Sequence, residues 1–206
     1  MVAEKDITVV IPTIPPRDSF LSRAMASVAG QTRQPGGVVV EVDINRTGAP
    51  TTRNRALEKV CTPWVAFLDD DDWFLPQHLE TLANAADSGA DVYYSGCTVV
   101  NGSGTEVLPR QEEWGRFGLP FDADLLRQKS YIPVTSMVRT ELAQEVGGFS
   151  YPEGSLYEDW GFYLKLLDAG AIFEHVPEIT WVWEHRLGGD YAFDGTHNTS
   201  GRADRW

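Results

Sequence analysis

As far as Gly89 the chain alternates short, wholly apolar runs with longer stretches of helical spacing. Ile7-Thr8-Val9-Val10-Ile11 is β-branched and stops at Pro12, the pattern of a buried strand. Ser19 stands where a helix cap is expected, before Phe20-Leu21-Ser22-Arg23-Ala24-Met25-Ala26-Ser27-Val28-Ala29, and Gly30 ends that helix. Gly36-Gly37 leads into a second apolar run, Val38-Val39-Val40-Glu41-Val42, which ends at Asp43. Thr51 or Thr52 is placed to cap a helix through Val60. Trp64-Val65-Ala66-Phe67-Leu68 follows as a third strand. Pro76 suits a first helical position, and the helix through Leu79, Leu82, Ala83 and Ala86 stops before Gly89. Strands apolar on both faces, each followed by a helix, predict a parallel sheet with right-handed crossovers and helices on both sides.

Beyond this point the rhythm changes. Asp91-Val92-Tyr93-Tyr94 begins a strand, Asn101-Gly102-Ser103-Gly104 reads as a hairpin tip, and Ala123 to Lys129 as a helix. Tyr131 to Val138 reads as a strand, and Thr140 caps a helix ending at Gly147-Gly148. Glu158 to Leu167 is helical, with Gly170 as its stop. Two closing strands, Ala171 to Val176 and Ile179 to Glu184, make the sheet mixed. From Gly188 the chain is rich in Gly, Asp and Asn and reads as a loop or tail. The fold class is therefore α/β, a Rossmann-like mixed sheet in one domain over residues 1–206: a half 1–95, a half 96–187 and a tail 188–206.

Charge narrows the choice of ligand. The net charge of −13 and a pI near 4.6 argue against unspecific binding to nucleic acid or an anionic membrane. Cys61 and Cys97 share no metal-ligand spacing and fit a reduced, cytoplasmic setting, as does a start without a basic region and apolar stretch. No apolar run is long enough to cross a bilayer.

The acids are concentrated where they matter. Asp69-Asp70-Asp71-Asp72 ends the third apolar run, so four carboxylates sit at the carboxyl edge of the sheet, where open α/β folds bind ligands. Asp43 and the loop from Thr13 to Asp18 share that edge. Adjacent carboxylates repel one another; either water solvates them in a turn that caps the next helix, or a hard divalent cation with oxygen ligands offsets the charge.

Several segments in order resemble glycosyltransferase family 2. Val9-Val10-Ile11-Pro12-Thr13 is similar to the family's first strand and nucleotide loop, Arg53-Asn54-Arg55-Ala56-Leu57 to its Arg-Asn segment, and Phe67-Leu68-Asp69-Asp70-Asp71-Asp72-Trp73 to its Asp-x-Asp stretch. Gly147-Gly148-Phe149 with Glu158-Asp159-Trp160-Gly161-Phe162-Tyr163-Leu164-Lys165-Leu166 is similar to its Gly-Gly-Phe and Glu-Asp-Trp stretches. The resemblance runs from about residue 6 to 186 and implies the GT-A fold, the nucleotide-diphospho-sugar transferase fold, with residues 1–95 holding the donor and 96–187 the acceptor.

The resemblance also implies roles. Pro12, Thr13, Ile14 and Arg17 would line the nucleotide, and Asp43 would accept a hydrogen bond from the base, which favours UDP; as a plain alternative Asp43 is a turn former. Arg53 opens a helix, where a cation does nothing for the macrodipole, so a diphosphate or the acidic block is its expected partner. Asp71 is expected to hold Mn²⁺ or Mg²⁺, with Asp69 and Asp70 on the nucleotide sugar, although a block of four permits the one-residue slip to Asp70 and Asp72. His185 matches a histidine that joins the metal or the diphosphate; His175 reads as structural. Asp159 matches the catalytic base, raised in proton affinity by the neighbouring Glu158; acids in a first helical turn also occur for the helix dipole alone. Trp160, Glu158 and Trp114 are the acceptor-side candidates.

The expected activity is metal-dependent, inverting transfer of a sugar from a nucleoside diphosphate donor to a hydroxyl acceptor, by a chain that can form a homodimer. A nucleotidyltransferase would want glycines after the first strand, and none stands between Pro12 and Arg17. A phosphohydrolase would place its acids on the first strand rather than the third. A binding domain that lost turnover is the third alternative, against which Asp159 argues.

Overall fold

The computed structural model describes residues 2, 5–100, 118–155 and 157–184. Strand β1 (Ile7–Thr13) lies between β2 (Gly37–Val42) and β3 (Trp64–Phe67), parallel to both. Helix α1 (Asp18–Ala29) carries the chain from β1 to β2, and α2 (Ala49–Leu57) carries it back past β1 to β3. The order therefore reverses at β1, and the crevice at its carboxyl end is the switch point where ligands bind in such sheets. Past β3 the sheet turns mixed: β6 (Ser136–Arg139) is antiparallel to β3 and to β5 (Val92–Val100), β5 is parallel to β7 (Phe173–Glu184), and the two-residue β4 (Trp73–Phe74) closes the order β2-β1-β3-β6-β5-β7-β4.

The runs are apolar throughout because both faces are covered. Alternation along β1 sends Val9 and Ile11 to one core and Val10 to the other. Along β3, Val65 and Phe67 join Val10, while Trp64 and Ala66 join Val9. The first core is closed by α2, α4 (Ala123–Gln128), α5 (Thr140–Glu145) and α6 (Glu158–Asp168); the second by α1 and α3 (His78–Ala85). The mixed α/β sheet expected from the sequence is thus observed, and among the described residues no helix is long and apolar enough to cross a membrane.

Several boundaries differ from expectation for local reasons. Helix α1 starts at Asp18, so Ser19 lies inside it and caps nothing; α5 likewise starts at Thr140. Helix α2 starts at Ala49 with Pro50 in its first turn, and Thr52, expected as a cap, instead donates its hydroxyl to Gly48 O at 2.8 Å. Gln77, not Pro76, precedes α3. Tyr131 and Ile132 are fully buried but in a loop, and β6 begins only at Ser136. The two closing strands are one, β7, which runs through Pro177 because the proline sits where the β5–β7 register shifts between Ser95 and Gly96, at an irregularity that needs no proline N–H. The hairpin tip Asn101–Gly104, Trp114, His185 and the tail 188–206 lie outside the described residues.

Helix α3 docks on β7 through a polar line within the core. His78 Nδ1 lies 2.7 Å from Thr180 Oγ1, which lies 2.6 Å from Ser95 Oγ; all three residues are fully buried, and the His78 ring stacks on Phe74 at 4.0 Å. Burial pushes the imidazole down to about 3. The unfolded chain, with a histidine near 6.5, then binds a proton that the folded state refuses. Stability is full above that value and falls as pH drops from 6.5 towards 3, by up to roughly 5 kcal/mol over the window. In urea titrations His78→Gln loses this part of the acid slope; a slope equal to that of the unaltered protein would contradict it.

Candidate functional site

The acidic turn is pinned at both ends. Leu68 N donates to Val10 O at 3.0 Å, ending β3 in register with β1, and after the turn Trp73 and Phe74 pair with β7. Between these anchors Asp72 N donates to Asp69 O at 3.1 Å, a tight turn in which the four carboxylates part company. Asp70 and Asp72 point inward and are buried at 2% and 3% exposure; the side chains of Asp69 and Asp71 keep 30% and 21%. Thr13 Oγ1 donates to Asp70 Oδ2 at 2.5 Å, and Arg17 Nη2 lies 3.2 Å from Asp70 Oδ1 and 2.5 Å from Asp71 Oδ2. Asp72 Oδ1 accepts from Glu184 N at 2.9 Å. Of the two registers the block allows, the structure turns Asp69 and Asp71 outward.

Three carboxylates, from Asp69, Asp71 and Asp72, each bring an oxygen within 4.8 Å of the others. An all-oxygen donor set of this kind suits Mg²⁺ or Mn²⁺. The electrostatics agree. Burial pushes Asp70 up to about 7, with Asp71 and Asp69 adding to it and Arg17 opposing it, and burial with the neighbouring acids holds Asp72 well above the usual carboxylate range. The neighbouring acids add to that rise by repelling one another, a repulsion that a divalent cation would relieve, so the residues present fit one.

Two arginines brace the turn from the second core. Arg17 is raised above its ordinary value, since Asp71 and Asp70 outweigh the burial that would lower it. Arg23 Nη2 donates to Asp71 O at 2.5 Å and pairs with Glu184 Oε2 at 2.5 Å, its guanidinium 4.1 Å over the Trp73 ring. Arg23 and Glu184 escaped the sequence reading because one is a mid-helix arginine and the other a strand-end glutamate, with no motif to mark either.

A third arginine joins the turn to the helix that carries the expected base. Arg53 Nη2 donates to Asp69 Oδ1 at 2.5 Å and Nη1 to Glu158 Oε1 at 2.9 Å, from a side chain 5% exposed. Of its two expected partners, the acidic block is the one in contact. Glu158 and Asp159 open α6; the partly buried Asp159 Oδ1 accepts from Trp160 N at 2.8 Å. Burial first, then the charge of Glu158, push the Asp159 carboxyl up to about 7.

The approach to α6 is set by Asn54. Its Nδ2 donates to Phe149 O at 2.9 Å and its Oδ1 accepts from Phe149 N at 2.7 Å, so the side chain pairs with that residue as a strand neighbour would. Gly148 makes room: at φ +62°, a Cβ there would stand 2.2 Å from Asn54 Oδ1. Gly161 does the same one turn into α6, where a Cβ would stand 2.0 Å from Ser150 O. The Arg-Asn and Gly-Gly-Phe segments, far apart in sequence, are thus two halves of one joint.

Other expected contacts are placed differently. Asp43 is fully buried; Gly48 N and Thr47 Oγ1 each donate to it at 2.9 Å, and although burial opposes it, these bonds hold the carboxyl down to about 2. Its bonds are those of an anchor for the loop into α2, and its carboxylate is withheld from solvent. Pro12, Thr13 and Ile14 are buried as well, leaving Pro15 and Pro16, joined by a cis bond, as the exposed part of that loop. Trp160 spends its indole N–H on Leu126 O at 2.6 Å and its ring on the first core, so it packs where an acceptor contact was expected. Glu158, also expected on the acceptor side, is engaged by Arg53. His175 is partly buried against Tyr94, at 5.3 Å, in keeping with a structural role.

Comparison with known proteins places this geometry. A Bacillus subtilis protein described as an uncharacterized glycosyltransferase, YwdF, is 29% identical over 128 residues, which cover 62% of this chain and 47% of that protein. An uncharacterized glycosyltransferase of Haemophilus influenzae is 29% identical over 124 residues, 58% of this chain and 41% of its own length. The chain thus spans under half the length of these relatives. Among solved structures, S. aureus TarS 1-349 in complex with UDP-GlcNAc superposes with a TM-score of 0.67 over 91% of this chain and 61% of that one, at 19% identity; a second TarS structure gives 0.66 over 87% and 36%, at 20%. Likeness at that identity establishes the GT-A fold. The model of glycosyl transferase family 2 matches residues 9–147, a span that runs from β1 through the acidic turn to the Gly-Gly joint, and the chain belongs to that family.

Proposed function

We propose that this chain transfers a glycosyl group, with inversion, from a nucleoside diphosphate sugar to a hydroxyl acceptor, as one GT-A domain whose first half holds the donor and whose second half holds the acceptor. The observation that carries this reading is Asp159: a carboxyl pushed up to about 7, at the head of α6, joined through Glu158 and Arg53 to the acidic turn. A base of that strength takes the proton of an attacking hydroxyl near neutral pH far better than an ordinary carboxylate.

Asp71, with Asp69 and Asp72, would hold Mn²⁺ or Mg²⁺, which when bound neutralises charge on the departing diphosphate. Asp69 would also meet the ribose or sugar from the outward side of the turn. Arg17 and Arg23 keep Asp71 in position through its carboxylate and its carbonyl. Attack on the anomeric carbon from the face opposite the diphosphate, with Asp159 taking the proton, is a single displacement and reverses the configuration. UDP is the favoured carrier, a choice that rests on UDP-GlcNAc in TarS rather than on Asp43.

The test is turnover of a panel of UDP-sugars with Mn²⁺, followed by UDP release and by NMR of the product's anomeric proton. Release with a product of opposite configuration is expected. Retained configuration, or no release from any nucleoside diphosphate sugar, would overturn the reading.

A further inference from the structure

One buried guanidinium joins the acidic turn to the head of helix α6. Arg53 lies on α2, yet its two partners belong to other elements: Asp69 follows β3 and Glu158 opens α6, 16 and 105 residues away in sequence. Its guanidinium sits 5.3 Å from the centre of the Phe149 ring. That ring packs against Phe67 of β3 at 4.9 Å and against Phe162 of α6 at 4.2 Å. An aromatic layer therefore spans the same two elements that the ionic layer joins above it. The neighbouring Asn54 holds Phe149 by its backbone, so α2 grips the joint at two consecutive residues.

From this we infer that Arg53 is a positioning residue: it locks the outward carboxylate of the acidic turn to the head of the base-bearing helix and so fixes how far apart donor and base stand. The planar fork suits the task, because two of its nitrogens reach two carboxylates at a set separation, which the single ammonium of lysine does not do. Removing the fork leaves Glu158 and Asp69 without their shared counter-charge. The charged groups that act on Asp159 are Glu158 beside it, Arg53 from α2 and Asp69 from the turn, and Arg53 alone of these favours the ionised base.

The inference rests on the proposed transfer reaction, but part of its test does not. Arg53→Met, Arg53→Lys and Glu158→Gln are compared by transfer kinetics, by binding of UDP with Mn²⁺, and by a ¹³C NMR titration of the Asp159 carboxyl, which needs no turnover. Expected are a fall in kcat of roughly tenfold or more in both arginine variants, as misplacement of reacting groups causes, with UDP affinity within about threefold. The Asp159 titration moves to higher pH in Arg53→Met and to lower pH in Glu158→Gln. If Arg53→Met does not fold, Arg53→Lys and Glu158→Gln carry the test. An unmoved Asp159 titration, or activity lost only in proportion to the unfolded fraction, overturns the inference. Absence of turnover in the unaltered protein, with a titration that moves in the variants, would instead count against the transfer reaction and leave the positioning of Asp159 standing.

Discussion

Asp159→Asn should lower the rate of sugar transfer by about 10²–10⁴-fold, the range a general base contributes, while leaving the fold and donor binding in place. In the unaltered protein the carboxyl pushed up to about 7 must lose its proton to act, so activity rises as pH climbs through that value and levels off above it. The asparagine variant has no such group, and its residual rate should lack that rise. Stability moves the other way. A carboxyl whose folded value lies above its unfolded one costs stability as pH rises from about 3.8 to about 7, because the folded state holds a proton the unfolded chain has released. At pH 8 the variant should therefore melt no lower than the unaltered protein. Rate against pH and thermal melting of the same preparation check both points, and full turnover in Asp159→Asn would remove the base from the reaction.

Asp71→Asn is the second large effect. The carboxylate it removes is one of three that bring oxygens within 4.8 Å, and one of the two that face outward. Transfer should fall by about 10²–10³-fold, the cost of losing one preorganised stabiliser of developing charge. Calorimetry should show UDP bound at least tenfold more weakly in Mn²⁺ than by the unaltered protein, with chelator making little further difference. The fold should persist, since Arg17 keeps Asp70 as a partner and Arg23 bonds the main-chain carbonyl of residue 71 rather than its side chain. UDP bound equally well by both proteins in manganese would take Asp71 out of the metal site.

Much of this was legible in the residues alone. The apolar runs of β1, β2 and β3 and the helices between them were visible because a strand buried on both faces and an amphipathic helix each leave a mark within a dozen residues. The placement of Asp69 to Asp72 at the carboxyl edge followed from the same marks. Asp159 was found through its neighbours in sequence, and its raised carboxyl matches the effect expected from Glu158, although burial is the larger cause.

What the chain order could not settle is which way side chains turn once distant segments meet. Thr13, Arg17 and Glu184 come from β1, the α1 cap and β7, and together they decide that Asp70 and Asp72 go in and Asp69 and Asp71 go out. Asp43 was expected to face a base, yet Thr47 and Gly48 claim its oxygens, because the Gly48 amide in the loop into α2 would otherwise be buried unpaired. Strand β4 has too few residues to show a period and exists only because β7 offers it a partner. Alternation and capping are local and survive in one dimension; hydrogen bonds across 57, 105 or 112 residues do not, and these are the bonds that shape the site.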